Sequence, residues 1–496
     1  MLTPMQAVKS RSAMPIQDKR LFREQCYVGG LWVDADNGAV FPVNNPADGS
    51  VLGTVPEFGT ADVRRAIEAA EAAFASWRAR KAKERSAILR RWFELCLENR
   101  EDLATILTLE QGKPIAESRG EISYGSAFME WFSEEARRVY GDVIPANSND
   151  RRIVVVKQPV GVVAAITPWN FPNAMITRKA AAALASGCTV VIKPAESTPY
   201  SALALAELAE RAGVPKGVFN VVTGVPEIVG AELTSNPTVR KLSFTGSTEV
   251  GRILLRQCAE TVKKVSMELG GNAPFIIFGD ADLDRAVAGV MASKFRNAGQ
   301  TCVSANRVFV QDTIYDGFAT RLREAVKTLV VGSGVNDGVT IGPLIDRAAV
   351  EKVERHIADA VAHGAKLLHG GKSHALGGTF FEPTVLTDVR PGMKLMAEET
   401  FGPVAPLIRF VTEEDAVAMA NDTEYGLASY IYTRDLSRAW RMAEALEYGM
   451  VGINEGMIST EVAPFGGVKQ SGMGREGSKY GIDEYLEIKY VCMGGI

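Results

Sequence analysis

The stretch "NAGQTCVSANR", Asn297 to Arg307, sets one cysteine among small and polar residues. A thiol packed in a core sits among Leu, Ile and Val, so Cys302 reads as a nucleophile, with a structural cysteine as the alternative. Only the thiolate attacks carbonyl carbon well, and a free thiol titrates near about 8.5. A helix start or a nearby cation would lower that value, and a base would remove the proton. No histidine is close in sequence, since His356, His363, His369 and His374 all fall in one later segment. The candidate base is Glu268 in "SMELGGN", which ends an extended segment and is followed by Gly270 and Gly271. Apolar surroundings raise a carboxyl toward neutrality, which suits a general base; a Glu paired with a nearby Lys is the other reading. Asn170, in "TPWNFP", lies between two prolines that stiffen its loop. Its amide can donate to a developing oxyanion, or serve a plain turn.

A second group of residues suits a phosphate-bearing ligand. In "FTGSTEVGR" a turn at Gly246 opens a helix, whose N-terminal N–H groups and dipole attract anions, and Ser247 adds a hydroxyl donor. The spacing is GxxxxG, not the GxGxxG dinucleotide fingerprint, so a structural turn fits it too. "IKPAES" ends another strand with Lys193 and Glu196. At the carboxyl edge of a parallel sheet such a pair reaches ribose hydroxyls, and the carboxylate would repel a 2′-phosphate, favouring NAD over NADP. A solvated Lys–Glu pair carries the same sequence.

These residues need a frame. From 60 to 140 the pattern is helical, with Thr60 as the expected N-cap. "RRIVVVKQ" reads as an exposed strand and "GVVAAIT" as a buried one. Short apolar strands then alternate with helices to about Gly270: "CTVVIKP", "VFNVVTG", "VRKLSFTG" and "KKVSMELGG" are the strands. That alternation predicts an α/β fold with a doubly wound parallel sheet. A further section begins with "NAPFIIF", and "YGIDEYLEIKYVCMGG" alternates like an exposed strand near the C-terminus. The two exposed strands suit an arm that extends a neighbouring subunit's sheet.

The 496 residues suggest two or three domains, and a net charge of −4 lacks the basic stripe of a nucleic-acid binder. No apolar run reaches the roughly 20 residues needed to span a membrane. Six dispersed cysteines without a CxxC pair point to a reducing compartment, read as the cytoplasm. The first 20 residues have no secretory apolar segment and read as a tail, although their basic character also fits a short transit peptide. His356 and His363, two helical turns apart, are too distant to share a metal; they read as solvated, and no metal site is expected.

Taken in order, "TPWNFP", "FTGSTEVG", "ELGGNAP", "NAGQTC", "EETFGPV" and "PFGGVKQSGMGREG" resemble the NAD(P)-dependent aldehyde dehydrogenase superfamily from roughly Gly29 onward. The flanking text is most similar to its succinate-semialdehyde dehydrogenases. The resemblance implies Cys302 as nucleophile, Glu268 as the base that activates water, and Asn170 with the Cys302 N–H as oxyanion hole. It implies ribose contacts from Lys193, Glu196 and Glu399, a pyrophosphate contact from Ser247 beside Gly246, and Trp169 and Phe401 bordering the nicotinamide, with Thr167 also at the cofactor. Also implied are an NAD-binding domain (1–140 and 159–270), a catalytic domain (271–470), an oligomerisation arm (141–158 and 479–496), and a homodimer or homotetramer.

A semialdehyde carries a carboxylate at its far end, which calls for guanidinium donors. Arg178, Arg296 and Ser459 match the carboxylate clamp of the succinate-semialdehyde enzymes. Close relatives often read Cys-Val-Cys where this chain has Ser304, so a disulfide switch at Cys302 is expected to be absent. The expected reaction is oxidation of succinate semialdehyde with NAD as hydride acceptor, with NADP as the alternative. The alternatives are glutarate semialdehyde, a neutral aldehyde, acyl transfer to coenzyme A, or a non-catalytic protein on the same fold.

Overall fold

The computed structural model describes residues 14–496; the first 13 residues of the expected tail lie outside it. Two large sheets dominate. In the first, five parallel strands run in the order Lys264–Glu268, Val239–Thr245, Val162–Ile166, Thr189–Lys193, Phe219–Val221. The chain lays down Val162–Ile166 first, steps outward twice, then returns to the other flank with Val239–Thr245. The crevice at that reversal, beyond the strands' carboxyl ends, is where such sheets bind ligands. It is bordered by Thr167–Asn170 on one strand end and Gly246–Ser247 on the other.

The run "VVAAI" and the centre of "TVVIK" are apolar because helices cover both faces, and nine of these ten residues are buried. The helix Ala174–Ser186 is buried along its whole length and stops at Gly187, whose φ of 99° is the left-handed C-cap that glycine adopts without strain. Four helices between Thr60 and Glu135 match the expected helical region. The first one's N-cap is Gly59 rather than Thr60: Asp62, three residues on, accepts from the Gly59 N–H at 2.9 Å.

The second sheet has seven strands, with Ala273–Ile277 and Ala305–Gln311 adjacent at its centre. Its loops at the amino ends of the strands face the first sheet's carboxyl ends: Gly270–Asn272 lead into Ala273, Thr301–Ser304 into Ala305, and Glu399–Pro403 into Val404. The functional cleft therefore lies between a carboxyl edge and an amino edge. A late segment stitches the two sheets. Gly472–Met473 pairs antiparallel with Met267–Glu268, and Ser471 joins the Gly270 carbonyl (2.7 Å) to the Gly426 N–H (2.9 Å).

A separate three-stranded sheet joins Leu486–Gly494 to Arg151–Pro159 over nine residue pairs, with Asp142–Ile144 at its edge. It exposes Val143, Ile488, Tyr490 and Met493. The stretch expected as one exposed strand from Tyr480 is divided: Ser478–Asp483 is helical, and the strand begins at Leu486. His356 also departs from expectation. It is buried, with ring nitrogens 3.2 Å from Thr400 Oγ1 and 3.0 Å from Glu398, so it anchors the loop ahead of Phe401.

Candidate active site

Cys302 follows a turn, Arg296–Gly299, in which Asn297, Ala298 and Gly299 have φ of 51°, 54° and 74°. A left-handed backbone costs a non-glycine residue about 1–2 kcal/mol, so surrounding contacts must hold this turn. No helix start aids the thiol, because Cys302 lies in a non-helical turn. Burial, then Glu399 and Glu268, push the thiol up to about 12, while Arg178 and Arg296 pull it down. At neutral pH the sulfur therefore keeps its proton until a base takes it. Gly271 is needed beside it, since a Cβ there would lie 2.6 Å from the Cys302 carbonyl oxygen.

Glu268 ends its strand 2% exposed, and neither carboxyl oxygen has a hydrogen-bond partner among the described residues. Burial raises its titration well above the ordinary range and Glu476 adds to the rise; Lys179, Arg178 and Arg475 oppose it. A glycine is required against it: a Cβ on Gly466 would come within 2.9 Å of its Oε1. Asn170 is buried and lines the same cleft as Cys302. Its Nδ2 donates to the Gln300 carbonyl at 3.0 Å, which uses one of two amide hydrogens.

The cleft, of about 480 Å³, also brings together Trp169, Gly246, Ser247, Glu399 and Phe401. Trp169 and Phe401 meet edge to face, centroids 5.5 Å apart. Ser247 caps its helix by accepting from the Val250 N–H at 3.3 Å. Gly246 leaves no room for a side chain, since a Cβ would fall 2.4 Å from the Phe244 ring. Glu399 accepts from the Gly271 N–H at 3.1 Å; burial lifts it to about 7, against that bond and the pull of Lys352 and Lys294. Lys193 and Glu196 pair with each other at the sheet edge, the lysine buried and the carboxylate half-exposed. Thr167 and Thr245 bury hydroxyls that have no partner among the described residues. An exposed helix start, unpartnered hydroxyls, the Glu399 carboxylate in the cleft and the Lys193–Glu196 pair at the sheet edge fit a dinucleotide with its ribose hydroxyls.

At the far end, Arg178 is 1% exposed, its guanidinium carbon 4.6 Å from the Phe128 ring centroid and 4.4 Å from that of Phe465. It donates to the Tyr124 hydroxyl at 3.0 Å and lies 3.3 Å from Glu476. Burial pushes the Tyr124 hydroxyl's titration up, and the neighbouring Arg178, Arg296 and Ser459 pull it back down. Arg296 and Ser459 share a narrow recess with Val303 and Tyr430, close behind the nucleophile turn. The structure thus gathers Arg178, Arg296 and Ser459 around Tyr124, which sequence reasoning missed. Glu476 and its buried partner Lys179 were missed as well. Tyr124 sits mid-helix among apolar neighbours and carries no sequence signal of its own. Lys179 follows Arg178 directly, so two adjacent cations inside an alanine-rich helix were a readable oddity.

A helix start, unpartnered hydroxyls and a thiol on one cleft are the groups an oxidoreductase would need to oxidise a carbonyl carbon while it is bound to cysteine. The model described as "Aldehyde dehydrogenase family" matches residues 32–491, and the chain belongs to that family. It is 65% identical to the glutarate-semialdehyde dehydrogenase of Pseudomonas aeruginosa over 483 residues, 97% of this chain and 100% of that one. It is 64% identical to the succinate-semialdehyde dehydrogenase [NADP(+)] GabD of Escherichia coli, again over 97% and 100%. A crystal structure of an E. coli NADP-dependent enzyme superposes with a TM-score of 0.96 at 64% identity, covering 97% of this chain and 100% of that chain. The protein is an NAD(P)-dependent aldehyde dehydrogenase with the α/β fold of its family.

Proposed function

We propose that the protein oxidises succinate semialdehyde to succinate. The observation that carries this reading is the convergence of two arginines, a tyrosine and a serine beyond Cys302, an anion site at the far end of a short aldehyde. The E. coli relative's name supports it. Glutarate semialdehyde is the second reading, supported by the P. aeruginosa relative. One methylene is worth only about 1–3 kcal/mol, so a single site can serve both.

Lys193, Glu196, Gly246, Ser247 and Glu399, beside Trp169, Phe401 and Thr167, would hold a dinucleotide, which when bound would supply the hydride acceptor. The chain's own residues do the rest. Glu268 takes the Cys302 proton, and the sulfur adds to the aldehyde carbon to give a thiohemiacetal. The free Asn170 amide hydrogen and the Cys302 N–H stabilise the oxyanion. Once oxidised, the carbon remains as a thioester on Cys302, and Glu268 removes a proton from the water that hydrolyses it. Glu268's raised titration suits a group that must accept a proton near neutral pH and give it up again.

Glu196 favours NAD, since its carboxylate would oppose a 2′-phosphate. On this reading, residues 1–140 with 159–270 form the NAD-binding domain, 271–470 the catalytic domain, and 141–158 with 479–496 an arm. The arm's exposed apolar strand edge supports a homodimer or homotetramer. Six free cysteines support a cytoplasmic setting; among the described residues, no helix is long and apolar enough to cross a membrane. The test is kcat/KM for succinate semialdehyde, glutarate semialdehyde and butanal with each dinucleotide. Both semialdehydes should exceed butanal by roughly 100-fold or more, the scale of a charge-assisted bidentate contact. Parity with butanal would overturn the anion-site reading.

A further inference from the structure

The start of the helix Ile115–Glu135 and the turn before it carry three charged side chains, Lys113, Glu117 and Glu121, that the reaction does not use and that face the catalytic loops; Arg119 instead pairs with Glu101 at the surface. Lys113 is 1% exposed. Its ammonium donates to Glu121 Oε2 at 2.6 Å and to the backbone carbonyl of Asn170 at 2.7 Å. It also lies 3.9 Å from the centroid of Phe171, the ring that Arg296 approaches at 5.1 Å. Glu121, buried, turns its other oxygen to the N–H groups of Asn173 (3.0 Å) and Ala174 (3.2 Å), where the next helix begins. Glu117, half-buried, accepts from the N–H of Asn297 at 2.8 Å.

Two loops are therefore tied to one helix. They are also tied to each other: Asn297 Nδ2 donates to the Asn170 carbonyl at 3.1 Å, and Asn170 Nδ2 to the Gln300 carbonyl at 3.0 Å. Buried charges are tolerated only where their partners are well placed. Here most of those partners are backbone groups at Asn170 and just after it, and in the left-handed turn that delivers Cys302. A shift of either loop takes a hydrogen-bond partner away from Lys113, Glu121 or Glu117.

We infer that Lys113 and Glu117 are positioning residues. Lys113 fixes the Asn170 loop, Glu117 fixes the nucleophile turn, and together they set the gap in which the oxyanion forms. The inference rests on the reading of Asn170 as the oxyanion donor. Misplacing a reacting group by about 1 Å costs on the order of 100-fold.

The test pairs semialdehyde oxidation with hydrolysis of 4-nitrophenyl acetate, an activated ester that acylates a thiol without any dinucleotide. Lys113→Met should lower kcat/KM in both assays by roughly 10- to 100-fold, with KM for the dinucleotide little changed, and Lys113→Arg should recover most of the loss. In an Asn170→Ala background Lys113→Met should add little, because it acts through that amide. Losses that multiply in the double variant, or an unchanged Lys113→Met enzyme, would overturn the inference. Full activity in Asn170→Ala alone would instead sink the oxyanion reading, a separate failure. If Lys113→Met does not fold, Glu117→Gln, close in shape, should slow alkylation of Cys302 by iodoacetamide; an unchanged alkylation rate would count against the inference.

Discussion

The two ends of the cleft differ in how much of their polar chemistry the protein satisfies by itself. At the dinucleotide end, the Thr167 and Thr245 hydroxyls have no partners among the described residues and Glu196 is half-exposed. At the semialdehyde end, Arg178 is packed near two aromatic rings, bonded to Tyr124 and paired with Glu476. One end is adaptable and completed by its ligand. The other is a charge fixed in advance, whose energetic cost is met by the fold. Cofactor choice should therefore respond mildly to mutation, and substrate choice steeply.

Removing the sulfur that both ends serve is the coarsest break. Cys302→Ala should lower turnover on the order of 10⁴-fold or more, read as dinucleotide reduction with saturating semialdehyde. Next comes the fixed end. Arg296→Ala or Arg178→Ala should cost semialdehydes about 3 kcal/mol in kcat/KM, roughly 100-fold, with butanal nearly unaffected. Equal losses on both substrates would erase the contrast between the two ends. At the adaptable end, Glu196→Ser should move the NADP/NAD ratio of kcat/KM only roughly fivefold toward NADP, the upper range for an exposed charge contact. The smallest effect concerns pH. In the proposed role Glu268 acts as a base when deprotonated, so a raised titration moves the acid limb of the kcat profile upward. Glu476 contributes to that rise. Glu476→Gln should therefore shift the acid limb to lower pH, by roughly half a unit or more; an upward shift would contradict the electrostatic assignment.

Legibility followed the length scale of each signal. The parallel sheet was readable because its strands are continuous apolar runs separated by helices. The strands Cys26–Val28, Leu31–Val33, Val40–Asn44 and Val51–Pro56 were not, being short and mixed in burial. Cys302, Asn170 and the Gly246 turn stood out because each interrupts its surroundings. Arg178, Arg296 and Ser459 were reached only through family resemblance. Tyr124, Lys113 and Glu476 depend on packing between distant segments, which no local pattern encodes. The field at Cys302 was unreadable for the same reason: of the two aids named for the thiol, a helix start and a nearby cation, the fold supplies no helix start and brings Arg178 and Arg296 near.

The late pairing of Gly472 with Glu268 has a consequence for how the enzyme is made. A chain stalled on the ribosome before Gly472 already contains the thiol, the amide and most strands of both sheets, yet the edge on which Glu268 sits is unclasped. At about 5–20 residues per second, roughly 200 residues separate the base from its clasp, a delay of about 10 to 40 seconds. A nascent or prematurely terminated product can therefore carry a thiol without a seated base, and competence to release acid comes among the last events of biosynthesis.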